Sequence, residues 1–156
     1  MQHYRTEVYQ ASTSIGYLLK RAHSLVIDHL ETVVADSELT FTQWVVLMHL
    51  RDGLAVNATT LCSQLRHDSG ALTRVLDQLE GRGLVSRERS REDRREVQLR
   101  LTDAGLTTVS STIPAVVEQL NYALREFSRA EASELTRLLN KLIGSLSADR
   151  KSGEAA

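Results

Sequence analysis

The sequence predicts a mainly α chain carrying one small β wing, and three observations lead there. Apolar residues recur at helical spacing over most of the 156 residues, interrupted by a single proline. Between Leu84 and Leu101 the period drops from about 3.6 to about 2, with Val97, Leu99 and Leu101 apolar and Glu96, Gln98 and Arg100 polar. The charge is also uneven: seven of the sixteen arginines lie between Arg82 and Arg100, although the formal net charge is only -1.

Bulk composition bounds the class. A hydrophobic share of 42% suffices for one core at this length, and 4% aromatic residues make that core mostly Leu, Val and Ala. A near-neutral balance argues against non-specific coating of nucleic acid but permits a local basic patch. One cysteine, Cys62, cannot form an internal disulfide, which suits a reducing compartment. No apolar run approaches the roughly 18 residues of a membrane span, and the start MQHYRTEVYQ lacks a signal-peptide pattern. The expectation is a soluble, cytoplasmic protein without a membrane partner.

Met1 to Ala11 has weak periodicity. A helix is expected from a cap at Ser12 or Ser14 to Ala35 or Asp36, with Ile15, Leu18, Leu19, Ala22, Leu25, Val26, Leu30 and Val33 on its stripe. Thr40 or Thr42 opens the next helix, dense in Phe41, Trp44, Val45, Leu47 and Met48, and Arg51, Asp52 and Gly53 signal its turn. A short helix over 57–65 turns Leu61 and Leu65 inward, and His67 to Gly70 is a tight link. Leu72, Val75, Leu76 and Leu79 then stand at i, i+3, i+4 and i+7 of a helix capped by Asp68 or Ser69. Gly81 and Gly83 stop it, Gly83 being the left-handed closing residue. Leu84 to Arg89 and the alternating run ending at Leu101 form the hairpin, with 90–94 at its tip. Thr102 caps a further helix with Asp103 in its first turn. Leu106, Val109 and Ile113 carry its apolar face to Pro114, which should kink or restart it; Val116, Val117, Leu120, Leu124 and Phe127 continue it. A Ser128-x-x-Glu131 capping box opens the last helix, with Leu135, Leu138, Leu139, Leu142, Ile143 and Leu146 inward, and 151–156 is a polar tail expected to be disordered.

Two short helices joined by about four residues containing a glycine are the sequence form of a helix-turn-helix. The second exposes Gly70, Thr73, Arg74, Asp77 and Gln78, groups that reach base edges and phosphates, and its capped N-terminus suits a phosphate. The hairpin that follows, with Arg87, Arg89, Arg91, Arg94 and Arg95, fits a wing entering a minor groove, where narrow width concentrates negative potential. On charge alone the hairpin reads more readily as a solvated face, because Glu88, Glu92, Asp93 and Glu96 can neutralise its arginines. The helix pair therefore carries the prediction: a winged helix-turn-helix over 40–102 that binds double-stranded DNA. The helices over 12–36 and 103–147 have apolar stripes separated by the whole winged module. They are expected to form a dimerisation region of a single 1–156 domain, giving a homodimer on a palindromic operator with recognition helices roughly 34 to 36 Å apart.

Other chemistry is thinner. Tyr17, His23, Trp44 and Met48 lie where the first two helices would face the winged module and are candidates for a small-molecule pocket, although a lone tryptophan is also plain core. The five histidines show no compact ligand spacing, so no metal and no cofactor is expected. Cys62, His67 and Asp68 invite an enzyme reading, but no oxyanion-hole loop or second histidine-acid pair supports it; a structural thiol, or a redox-sensing one, fits Cys62 better. The rivals to ligand-responsive DNA binding are thus a thiol-based redox regulator acting through Cys62 and a helical protein that meets a protein partner through the wing.

The run SGALTRVLDQLEGRGLVSRERSREDRREVQLRLTDAG closely resembles the multiple-antibiotic-resistance regulator (MarR) family. The resemblance rests on Leu72, Thr73 and Arg74; Leu79, Glu80, Gly83, Leu84 and Val85; Asp93, Arg94 and Arg95; and Leu101, Thr102 and Gly105. It implies a dimeric transcription factor, usually a repressor, released from DNA by a small and often phenolic or aromatic acid. By position it implies that Ser69, Thr73 and Arg74 touch DNA, that Arg95 probes the minor groove, that Asp93 shapes the wing tip and that Arg94 meets a phosphate. Members that sense hydroperoxides carry a cysteine near the chain start, and none precedes Cys62 here. Zinc-sensing members cluster His, Cys and acidic ligands, a pattern this chain lacks.

Overall fold

The computed structural model describes residues 3–89 and 97–153. Two short 3-10 turns, Thr6–Val8 and Ala11–Thr13, precede α1 (Ile15–Ala35), α2 (Phe41–Arg51), α3 (Ala58–Leu65) and α4 (Ser69–Gly81). Strands β1 (Val85–Arg89) and β2 (Val97–Leu101) follow, then α5 (Asp103–Ala123) and α6 (Arg129–Gly153). The predicted class, mainly α with a small antiparallel sheet, is the one observed. The chain divides into two compact units, Met1–Gln119 and Leu120–Ala156. No helix among the described residues is long and apolar enough to cross a membrane.

Local side chains set most of the helix starts. The Ser14 hydroxyl accepts from the Tyr17 N–H at 3.3 Å, and Asn57 Oδ1 accepts from the Thr60 N–H at 2.8 Å. At α2 the cap is reciprocal: Thr40 Oγ1 accepts from the Gln43 N–H and Gln43 Oε1 accepts from the Thr40 N–H. Before α1, the Tyr4 hydroxyl accepts from the Ile15 N–H at 2.8 Å, so the weakly periodic start is anchored to the first helix.

In the first unit the main core joins Leu39, Val46, Leu47, Leu61, Leu72, Leu76, Leu79, Val85, Leu99 and Val109, and a smaller cluster joins Leu30, Val34 and Val116. The strands pair Val85 with Leu101, Arg87 with Leu99 and Arg89 with Val97. β2 is tied further by the Leu99 N–H, which donates to the Val56 carbonyl at 2.8 Å. Of the alternating set, Leu99 is buried and Leu101 half-buried, while Val97, at the outer end of the hairpin, is 45% exposed. The alternation named the correct face but not how far the core extends beneath it.

Three expectations need correction. α5 neither stops nor restarts at Pro114; proline deletes one helical hydrogen bond, and buried Val109, Thr112 and Val116 hold the turns on both sides. That helix ends at Ala123, so Leu124 and Phe127 belong to a turn in which the Phe127 N–H donates to the Leu124 carbonyl at 2.9 Å. In the second unit α6 continues through Lys151 to Gly153, beyond the expected start of a disordered tail.

Candidate nucleic-acid interface

The helix pair α3–α4 is closed by Arg66, in the left-handed region at φ 51, so the tight turn rests on a non-glycine residue and Gly70 sits inside α4. Asp68 caps α4: its Oδ1 accepts from the N–H groups of Gly70 at 2.9 Å and Ala71 at 3.0 Å. Leu72, Leu76 and Leu79 bury one face of the helix, which leaves Ser69, Gly70, Thr73, Arg74, Asp77 and Gln78 exposed. The sequence reading of two opposed faces therefore matches the structure.

The exposed face is not uniformly available. Thr73 Oγ1 donates to the Ser69 carbonyl at 2.8 Å. Gln78 Oε1 accepts from Gln43 Nε2 at 2.9 Å, which ties the last turn of α4 to the buried capping glutamine of α2. Arg87 Nη1 lies 2.7 Å from Asp77 Oδ1 and 2.9 Å from Glu80 Oε2. Arg82 donates to the Glu38 carbonyl at 2.6 Å, and Arg100 Nε lies 2.9 Å from Glu88 Oε2 on the outer side of the hairpin. Local neutralisation of the arginine cluster is thus partly realised. Arg74 and Arg89 are exposed, at the recognition helix and at the outer end of β1. Arg91, Asp93, Arg94 and Arg95 lie outside the described residues.

None of the four pocket candidates lines the cleft found among the described residues. Tyr17 and His23 are exposed on α1. Trp44 stacks on Phe41 with ring centroids 5.7 Å apart, and its Nε1–H donates to Thr112 Oγ1 at 2.8 Å. Met48 packs against the main core. An open cleft of about 370 Å³ lies elsewhere, bounded by Leu50, Arg51, Val56, Leu99, Thr102 and Leu106. Cys62 is half-buried against the main core, and the capping role of Asp68 occupies the carboxylate that an enzyme reading needed as an orienter.

Sequence reading missed the capping role of Gln43 and the ion pair of Glu80. The Thr40-x-x-Gln43 spacing was a visible signal for the first, being a capping box. The second had none, since its partner is seven residues away on another element.

Comparison with known proteins agrees with this geometry. The family model described as MarR family matches residues 39–97, which span α2 to the start of β2. The HTH-type transcriptional regulator SarZ of Staphylococcus haemolyticus is 30% identical over 132 residues, covering 85% of this chain and 88% of its own. The transcriptional repressor CouR, solved bound to a 23-mer DNA duplex, aligns with a TM-score of 0.76 at 30% identity over 90% of this chain and 99% of that one. BpsR of Bordetella bronchiseptica, whose DNA binding is regulated by 6-hydroxynicotinic acid, gives 0.76 at 28% identity over 86% and 96% of the two chains. These relatives are regulators and not enzymes. With its helix-turn-helix, its β wing and this relatedness along most of its length, the chain belongs to the MarR family of DNA-binding transcriptional regulators.

Proposed function

We propose that this regulator works as a cytoplasmic homodimer, a repressor that grips a palindromic operator and releases it when a small aromatic or phenolic acid binds. The observation that carries the reading is α4, whose apolar face is buried while its capped first two turns present Ser69, Gly70, Thr73 and Arg74 to solvent. N-terminal turns with those groups suit a major groove edge and its phosphates. Arg89 and the wing-tip residues Arg91, Asp93, Arg94 and Arg95 complete the grip in the adjoining minor groove, with residues 40–102 as the DNA-binding part.

Dimerisation is assigned to 12–36 and 103–147. Ile15, Leu18 and Leu25 on α1 are exposed, as are Leu138, Ile143 and Leu146 on α6. Apolar stripes of this length ask for a second surface, and two-fold symmetry supplies one with the correct spacing of recognition helices.

For the effector, the cleft beside Arg51 suits a small carboxylate better than the neighbourhood of Tyr17, His23, Trp44 and Met48. Its walls are polar and apolar in about equal measure, with Arg51 and Arg100 lining it beside Asp103, whereas the Trp44 N–H is already bonded and Met48 is packed. Likeness to BpsR supports an aromatic acid as the ligand class. Release then follows from linkage: the acid favours a dimer whose recognition helices are wrongly spaced, with a coupling of ~1 to 3 kcal/mol.

The test is an electrophoretic shift with DNA from upstream of the chain's own gene, at two salt concentrations, with and without a panel of aromatic acids. A sequence-specific, salt-sensitive shift released by one acid supports the reading, and loss of that release in Arg51→Gln places the acid in the cleft. Absence of any specific shift refutes the proposal.

A further inference from the structure

Among the wing arginines, Arg87 stands differently from the rest. Strand alternation puts Val85, Arg87 and Arg89 on one face of β1, and the register sets Arg87 opposite buried Leu99. It therefore lies on the side of the hairpin that faces the core and α4. There one guanidinium nitrogen, Nη1, meets Asp77 Oδ1 at 2.7 Å and Glu80 Oε2 at 2.9 Å. The two acids are i and i+3 on α4, neighbours on one helical face. The Arg87 side chain is 29% exposed, less than Asp77 at 56% or Glu80 at 40%.

A phosphate approaching Arg87 would meet two carboxylates already bound to the same nitrogen. The cluster carries two negative charges against one positive, so its net sign repels DNA. We infer that Arg87 is a positioning residue and not a DNA contact: with Asp77 and Glu80 it braces the wing against the recognition helix, fixing the angle at which the two enter neighbouring grooves. The inference rests on the reading of α4 and the wing as two halves of one grip. It changes the role of an arginine that sequence alone groups with the phosphate contacts, and it accounts for acids on a surface that otherwise has to attract a polyanion.

The two roles have opposite signatures. A phosphate contact contributes about -0.9 to the log-log dependence of affinity on salt, whereas a brace contributes nothing to that slope and its loss lowers affinity at every salt concentration. The experiment titrates a duplex selected by this protein from a random pool at several salt concentrations, with wild type, Arg87→Ala, Asp77→Asn/Glu80→Gln and Arg74→Ala. Thermal unfolding of each variant checks the fold. Arg87→Ala is expected to bind about tenfold more weakly with an unchanged slope, within the range of couplings inside one ion-pair network. Asp77→Asn/Glu80→Gln should also bind more weakly, although it removes two negative charges near the DNA; this variant decides the question even if Arg87→Ala folds poorly. A slope reduced by about 0.9 in Arg87→Ala, or tighter binding by the acid-neutral variant, overturns the brace, as does wild-type affinity in both. If Arg74→Ala leaves affinity and slope untouched, α4 is not the groove helix, and the grip and its brace fall together.

Discussion

Gly105 shows how much a single position can hold. A Cβ there would collide with the backbone carbonyl of Leu84, because the first turn of α5 is drawn onto the start of the wing. Thr102 does the drawing: its hydroxyl donates to the Gly83 carbonyl at 2.7 Å and accepts from the Gly105 N–H at 3.0 Å, while its own N–H donates to the Leu84 carbonyl at 3.1 Å. Gly105→Ala must push backbone apart, so a loss of about 1 to 3 kcal/mol is expected, read as a lower midpoint in urea unfolding; an unchanged midpoint would mean that the contact relaxes freely. Arg95 is the opposite case, a residue that the family resemblance assigns to DNA and not to the core. Arg95→Ala should weaken operator binding sharply in the shift assay and leave the thermal midpoint where it was. Both residues belong to the family resemblance, Gly105 through its close backbone approach and Arg95, on the reading proposed above, through DNA.

At the scale of elements, the starts of helices were the most legible features because they are local. Ser14, Asp68 and Ser128 each close hydrogen bonds within three residues, so sequence spacing alone reveals them. The box at α6 also has a pH signature. Glu131 accepts from the Ser128 hydroxyl at 2.7 Å and from its N–H at 2.8 Å. The side-chain bond first, then the backbone one, holds its carboxyl below the usual 4.5. A lowered folded pKa means that the contribution to stability is complete above the unfolded value and is lost as pH falls through the folded one. Glu131→Gln keeps an acceptor but loses the charge, so its thermal midpoint should sit below wild type at neutral pH and converge on it as the pH falls through the lowered folded pKa of the carboxyl. A gap that persists unchanged in acid would assign the difference to something other than the carboxylate. At Pro114 the isolated rule says kink or restart, and the helix does not restart: burial of Val109 and Val116 on either side keeps it continuous.

For the whole molecule, the decisive feature is apolar surface without a described cover. Leu19 and Leu25 on α1 and Leu138 and Ile143 on α6 are exposed although their spacing is that of core positions. If the homodimer reading is correct, Ile143→Glu should shift the sedimenting species from dimer to monomer and abolish the specific DNA shift, since a single recognition helix with one wing loses the second half-site. A variant that remains dimeric would move the interface elsewhere on the chain. Leu146, one turn along at 54% exposed, offers a second position for the same test.

Sequence by itself determined the order and type of the elements, the two faces of α4, the alternation of the wing and the family, because each depends on residue spacing within about a dozen positions. Tertiary structure alone decided what those residues do next. It paired Arg87 with Asp77 and Glu80, tied Gln78 to Gln43, fastened the Trp44 N–H to Thr112 and left Val97 outside the core. The reason is that each pairing joins two different elements, often far apart along the chain. Gln43 and Gln78 are 35 residues apart, and Trp44 and Thr112 are 68; no local pattern records such a pairing, which exists only once the helices have packed.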